Sequence, residues 1–423
     1  MPDATATASF MSSSAPLVAD GDNQPILQAF LDSLPDNAAV LLPAGVWPLN
    51  SVLRINRSIT LASADPANPA TLRGVGTDGN RHVLEVGNYD TGVFVNGVKL
   101  QDLVVECAVT GTGIHNCIVV HGDDFTALRC RWSGSAHEGL VVHGDCLRAT
   151  ITDCTATGCG TGNASYTQST SGFNSHAHPT LYTRCVADGC GQGFEIDGHG
   201  TVIDACEVKN PPAGVTPQIA YNIGSSGVGI YDVTLRRSIS RGYETAVQTG
   251  NGIGRLAKVA VDSCDFWDGG ITFQGGVPDN TNTIDRVPAG PDTFGSLITD
   301  NLFVITKQNG AICGYNSGVD ANSGPLGREP LTISGNTVEL VGAGANQTAP
   351  ILYVAGKVTA AVAITDNRLI GSDTPSGRGD VASFTLVNNA AVPNMPTLIV
   401  ARNVMVKPDG TERPVVVKVE GAP

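Results

Sequence analysis

The feature that most constrains the fold of this chain is a column of thiol or small polar residues, each closing a short apolar run. It reads VVEC at Cys107, ALRC at Cys130, ITDC at Cys154, YTRC at Cys185, IDAC at Cys206, RRS at Ser238 and VDSC at Cys264, then ITDN at Asn301, ISGN at Asn336, ITDN at Asn367 and VARN at Asn403. Successive gaps are 23, 24, 31, 21, 32, 26, 37, 35, 31 and 36 residues, and the longer ones carry Gly-, Pro- and Asn-rich insertions. Such a period, with one set of strands per repeat, predicts a solenoid of stacked coils. Equivalent side chains then lie about 4.8 Å apart and form ladders. The cysteines are read as a buried file of free thiols. Eleven is an odd number, so at least one is unpaired, and folding in a reducing compartment is the simpler reading. No C-x-x-C spacing supports a structural zinc site.

A second column sets the register. CIVVHG, GLVVHG, GFNSHA, GFEIDG, AYNIG, TAVQTG and ITFQGG place His121, His143, His176, Asp197, Asn222, Gln248 and Gln274 at equivalent positions. Alternation along a strand sends Leu140, Phe173, Phe194 and Val247 inward. It sends Val141 with His143, Asn174 with His176, Glu195 with Asp197, Ala220 with Asn222 and Ala246 with Gln248 outward, so one face is lined by polar side chains.

Composition fits this picture and excludes others. Fifty-one glycines, 5% aromatic and 15% charged residues suit many short strands and turns. A formal charge of −14 argues against a nucleic-acid partner, and disfavours a polyanionic substrate unless Arg and Lys cluster locally. No run is long and apolar enough for membrane insertion, and the start MPDATATASFMSSSAPLVADGD lacks the basic and apolar regions of a signal peptide, which predicts synthesis in the cytoplasm. NQPILQAFLDSL, residues 23–34, has its apolar residues at helical spacing and is placed to cover the N-terminal end of the coils; AVLLPAGVWPL, residues 39–49, reads as strand, turn, strand.

An acidic-Gly start, this amphipathic helix and the V-x-LPAG-x-W-x-L strand pair resemble the beginning of right-handed parallel β-helices of the pectate-lyase-like superfamily, which includes bacteriophage tailspikes and polysaccharide lyases. The resemblance, with the repeat, runs from about Ala19 onward. It implies an all-β, single-stranded right-handed parallel β-helix of about eleven coils with an N-terminal capping helix. The expected organisation is a tail or attachment peptide over residues 1–20, a cap over 21–50 and the β-helix over 51–423. It further implies a spike-type protein recognising and depolymerising a cell-surface polysaccharide, assembled as a homotrimer, with phage tail proteins as possible partners and a virion or extracellular location.

Chemistry concentrates in GFNSHAHPTLYTRCVADGCGQGFEID, residues 172–197. The stretch is similar to the repeat of mannuronan C5-epimerases, where Y-G-F-D-P-H is followed one coil later by G-F-x-x-D. His176 matches that family's catalytic histidine and Asp197 its acidic residue; the family's Tyr is Ser171 here and its Asp is Asn174. The resemblance implies lyase or epimerase action on a uronate polymer through His176. Read from the residues themselves, Glu195 and Asp197 point outward from one strand with carboxyl groups about 6 to 8 Å apart, the separation for inverting glycoside hydrolysis. A surface or sugar-binding role for the pair stands beside that reading, as does a non-catalytic binding or structural spike. His143, Asn174, His178, Asn222, Gln248, Tyr166 and Arg184 are the candidate substrate-binding residues, on a face spanning His143 to Gln248 and walled by insertions at 160–172, 210–218 and 276–296. No metal or other cofactor is expected, a calcium ion at Asp123, Asp124 or Asp145 being the one variant considered.

Overall fold

A computed structural model describes residues 8–10, 21–76, 81–109, 114–162, 170–215, 218–224, 230–249, 256–273, 296–305, 313–315, 331–341, 352–355, 362–371, 384–387, 398–406, 409–414 and 417–420. Tyr166, Gln274, most of the expected tail, residues 163–169 of the 160–172 insertion and nearly all of the 276–296 insertion lie outside them. The chain divides into two compact units, residues 1–201 with 209–218 and residues 202–208 with 219–423.

Each coil of the first unit gives one strand to each of three parallel stacks. The second stack, which positions the site, runs Leu53–Ile55, Arg81–Val86, His115–Val120, Leu140–Val142, Ser171–Ser175 and Gln192–Ile196, every neighbouring pair parallel. The first stack contains Thr126–Leu128, Ala149–Thr152 and Thr180–Thr183, and the third Arg131–Ser133, Thr155–Thr157 and Val186–Asp188, also parallel throughout. The second unit repeats the scheme, for instance with Ser296–Thr299, Leu331–Ser334 and Val362–Thr365 in one stack and Leu302–Ile305, Thr337–Leu340 and Arg368–Gly371 in another. The third stack of that unit ends on an antiparallel strand, Glu412–Pro414.

Inward rows make the core. In the second stack of the first unit, register aligns Leu84, Ile118, Leu140, Phe173 and Phe194, all fully buried. Phe173 and Phe194 stack at 4.6 Å, and Tyr182 meets both edge-on. The repeated Gly before these residues has a steric cause: a Cβ on Gly139 would sit 2.4 Å from the Trp132 ring and from the Gly172 carbonyl oxygen. Trp132 is thus core, and its indole N–H donates to that same carbonyl at 3.0 Å.

The corner between the first and third stacks turns on a single residue at positive φ: Asp102, Arg129, Asp153 and Arg184 in the first unit, and Ala205, Arg237, Ser263, Asp300, Gly335, Asp366 and Arg402 in the second. The residue that follows is the ladder position. In the second unit the ladder is explicit. Asn301, Asn336, Asn367 and Asn403 each donate from Nδ2 to a backbone carbonyl, and amide-to-amide bonds of 2.9 Å link the successive pairs. In the first unit Cys130, Cys154 and Cys185 occupy the position, all buried. Cys107 does not. The register sets Val104 beside Arg131, so the partner of Cys130 is Leu103, and Cys107 ends a third-stack strand instead. It belongs near a second thiol file, Cys117, Cys159 and Cys190, which the sequence column overlooked.

The helix Gln24–Asp32 buries Leu27 and Leu31, worth about 1.5–3 kcal/mol each. Gln28 completes the open edge of Leu53–Ile55: its Oε1 accepts the Arg54 N–H at 2.8 Å and its Nε2 donates to the Arg54 carbonyl at 3.0 Å, mimicking a strand partner.

Candidate functional site

The outward rows of the second stack do not lie open to solvent. His115–Val120, Leu140–Val142 and Ser171–Ser175 are buried on both faces, because two excursions fold over them. One leaves the strand Arg81–Val86 and carries Tyr89 and Asp90; its Val95 N–H donates to the His121 carbonyl at 3.0 Å. Gly122 permits that approach, since a Cβ there would lie 1.7 Å from the Val95 oxygen. The other is the segment 134–139 before Leu140. Its Glu138 N–H donates to Asn116 Oδ1 at 2.9 Å, and the Thr170 hydroxyl bonds the His137 carbonyl.

Between them runs a groove of about 390 Å³ in the first unit, within the range of small-ligand sites. Its floor follows one register row, Arg54, Glu85, Val119, Val141 and Asn174. Arg54 Nε meets Glu85 Oε2 at 2.8 Å, and Glu85 Oε1 accepts the Tyr89 N–H at 3.2 Å. Glu138, 7% exposed, accepts from Asn174 Nδ2 at 2.6 Å and lies 3.1 Å from His137 Nδ1. His137 Nδ1 is also 3.2 Å from Asn116 Oδ1. Both neighbours are acceptors, so Nδ1 carries the proton. Burial by itself would raise the Glu138 pKa, but His137 and Asn174 together hold it below the ordinary carboxylate value, so Glu138 is ionised.

At the rim Tyr89 is 64% exposed, stacked at 4.7 Å on His121 and at 5.0 Å on His143, whose rings are 3.9 Å apart. Burial, reinforced by neighbouring His121 and His176, lowers the His143 pKa to about 4, so that ring is neutral at pH 7. Burial also lowers His82, which lines the groove. His176 Nδ1 lies 3.4 Å from Asp197 Oδ2, and the Asp197 side chain is 1% exposed. A carboxylate at Nδ1 fixes the proton there in the neutral ring and leaves the lone pair on Nε2, the arrangement of a Brønsted base held by a buried acid.

Of the sequence candidates, the groove gathers His143, Asn174 and His176. Asp197 is buried behind His176 rather than facing out beside Glu195; Glu195, half-exposed, continues the row from Asn174. His178 stacks on His199 at 4.6 Å and accepts the His199 N–H, away from the groove lining. Arg184 is a corner residue whose Nε and Nη2 donate to Asp153 at 2.6 and 2.8 Å. Asn222 and Gln248 are register partners in the second unit, and Gln248 pairs with Thr272, two residues short of the expected Gln274. Asp123 and Asp124 are engaged by Leu147 N–H and Arg148, and the described residues hold no group of three or more His, Cys, Asp or Glu arranged for a metal. Sequence reasoning missed Arg54, Glu85, Asn116, His137 and Glu138. The only available signal for these was the outward parity of Arg54 and Glu85 within their strands.

No protein-family model and no curated protein matches the chain. Solved structures do. The endo-xylogalacturonan hydrolase of Aspergillus tubingensis aligns over 90% of this chain and 99% of its own, at 12% identity and TM-score 0.51. The tailspike protein of E. coli bacteriophage HK620, in complex with a pentasaccharide, aligns over 92% and 77%, at 11% identity and TM-score 0.51. With the three parallel stacks of each unit, this likeness defines the fold as a parallel β-helix. Among the described residues no helix is long and apolar enough to cross a membrane.

Proposed function

We propose that the protein recognises a polysaccharide, which it holds in the groove over the second stack of the first unit. The observation that carries the reading is the groove itself: hydrogen-bonded polar pairs, Arg54 with Glu85 and Asn174 with Glu138, flanking two valines, with an exposed tyrosine at the edge, make a binding surface already organised for a hydroxyl-rich ligand. Support from the fold is that one similar structure is named a xylogalacturonan hydrolase and another holds a pentasaccharide. On the resemblance to spike-type proteins, the proposal extends to a homotrimer with phage tail proteins as candidate partners and a virion or extracellular location.

Chain cleavage is the second reading, favoured by the His176–Asp197 contact. His176 Nε2 takes or returns the proton while buried Asp197 fixes the ring. The Glu195 and Asp197 pair is less suited to hydrolysis, because Asp197 is already committed to His176. The test is incubation with bacterial capsular polysaccharide and with alginate, reading unsaturated-sugar absorbance and new reducing ends separately. Absorbance marks elimination, reducing ends alone mark hydrolysis, and binding without either marks a recognition protein. His176→Ala is expected to lower any turnover by about 100-fold or more, the usual contribution of a positioned acid or base. Full turnover in that variant removes the catalytic assignment.

A further inference from the structure

The polysaccharide reading leaves the ligand's charge open, and the groove lining addresses it. Among the described residues that line it, the carboxylates are Glu85, Asp90 and Glu138, and Arg54 is the one lysine or arginine. Arg54 is not available to a ligand anion as an uncommitted charge, since its Nε sits 2.8 Å from Glu85 Oε2. Glu138 faces Asn174 and His137, and Asp90 is exposed at the rim beside Tyr89. A sugar carboxylate entering here would meet three carboxylates against one guanidinium, and that guanidinium already pairs through Nε with Glu85. The whole chain, at −14, deepens that field.

The same lining offers an uncharged surface. Tyr89 packs against the His121 and His143 rings and is still 64% exposed. Tyr presents rigid amphipathic area at little entropic cost, and its open face suits the apolar C–H side of a pyranose ring. The stacked imidazoles hold the phenol ring in place before ligand arrives. Val119 and Val141 continue the apolar floor beside it.

We propose that the groove takes an uncharged hexopyranose chain, one ring of which stacks on the open face of Tyr89, and that it excludes uronate polymers. This inference rests on the polysaccharide reading and deepens it.

Carboxyl reduction tests it, because it removes the charge and keeps the backbone linkage. Oligogalacturonate and oligomannuronate are titrated calorimetrically into the full chain, each in its native form and after reduction to the neutral sugar, at low and high salt. The reduced form is expected to bind at least about tenfold tighter, and any residual binding of the native acid to strengthen as salt screens the repulsion. Tyr89→Ala is expected to weaken the neutral chain by about tenfold, and Tyr89→Phe, which keeps the ring, by less than about twofold. Asp90→Asn, an exposed change that leaves the fold intact by circular dichroism, is expected to improve binding of the native acid alone. Tighter binding of the native acid, weakening with salt, overturns the inference and leaves the polysaccharide reading standing. Unchanged neutral-chain affinity in Tyr89→Ala also overturns it. Absence of binding by every form overturns the polysaccharide reading and the inference together.

Discussion

Replacing Glu138 by Gln tests whether the groove is held by an ionised carboxylate or only by shape. The carboxylate accepts from Asn174 Nδ2 at 2.6 Å and from His137 Nδ1 at 3.1 Å. Glutamine keeps one acceptor, which Asn174 can use. Its amide nitrogen then faces His137 Nδ1, which carries a proton because both its neighbours, the Glu138 carboxylate and Asn116 Oδ1, are acceptors. Either the two donors oppose each other, or His137 changes tautomer and Asn116 loses its bond. One charge-assisted hydrogen bond is worth about 1.5–3 kcal/mol, so the loss is about 3 kcal/mol with the partner left unsatisfied. For 423 residues at about 2.1 cal/mol/K per residue, that lowers Tm by about 3 °C. The pH dependence follows from the sign of the shift. Glu138 has its folded pKa below the ordinary value of 4.5, so it binds its proton less readily when folded. Its stabilisation is present above pH 4.5 and is lost as pH falls through the folded pKa. The wild type and Glu138→Gln therefore converge in acid. Differential scanning calorimetry from pH 7 to pH 3 reads both effects. Equal Tm at pH 7, or a gap that persists unchanged to pH 3, refutes the reasoning.

Three further outcomes are expected. His143 and His199 have pKa values lowered to about 4, chiefly by burial, so their imidazole NMR signals are expected to titrate near pH 4; the stability they contribute is lost as pH falls from about 6.5 toward 4, and a midpoint near 6.5 removes the stacked-rim account. Asn336→Ala deletes four buried ladder bonds, to Ile298 O, Asn367 Oδ1, Asn301 N and Asn301 Nδ2, and is expected to cost at least about 2 kcal/mol in urea unfolding, against little for a change at exposed Leu297. The buried thiols, with Cys146 and Cys264 pushed up to about 12 by burial, are expected to resist alkylation in the native protein and to react in denaturant, as counted by intact mass; rapid native labelling of Cys154 or Cys185 removes the buried-file account.

The coil repeat was legible because the corner marks one place with a small thiol or polar residue. A buried ladder position after a single left-handed residue leaves room for Cys, Ser or Asn and little else, so the column survives spacings as long as 37 residues. The error at Cys107 came from the same rule applied where it fails, since the corner there is Asp102–Leu103 and Leu lacks the polar mark. Histidines 121 and 143 were readable as a column because strand register alone brings them to 3.9 Å. Glu138 was not readable. It belongs to the segment before Leu140, and its place over Asn116 and Asn174 depends on where that segment folds back, which strand alternation does not encode. The burial of the outward rows was invisible for the same reason, because the excursion that carries Tyr89 covers residues whose parity marks them as exposed.

The corner residues of the first unit carry alternating charge: Asp102 bonds Arg129, Asp153 bonds Arg184, and Arg129 and Asp153, on neighbouring coils, attract each other. Such a ridge has parity. Removing one coil would set Asp102 against Asp153, or Arg129 against Arg184, whereas removing two restores opposite neighbours. Growth or shrinkage of this solenoid by duplication is thereby steered toward even steps.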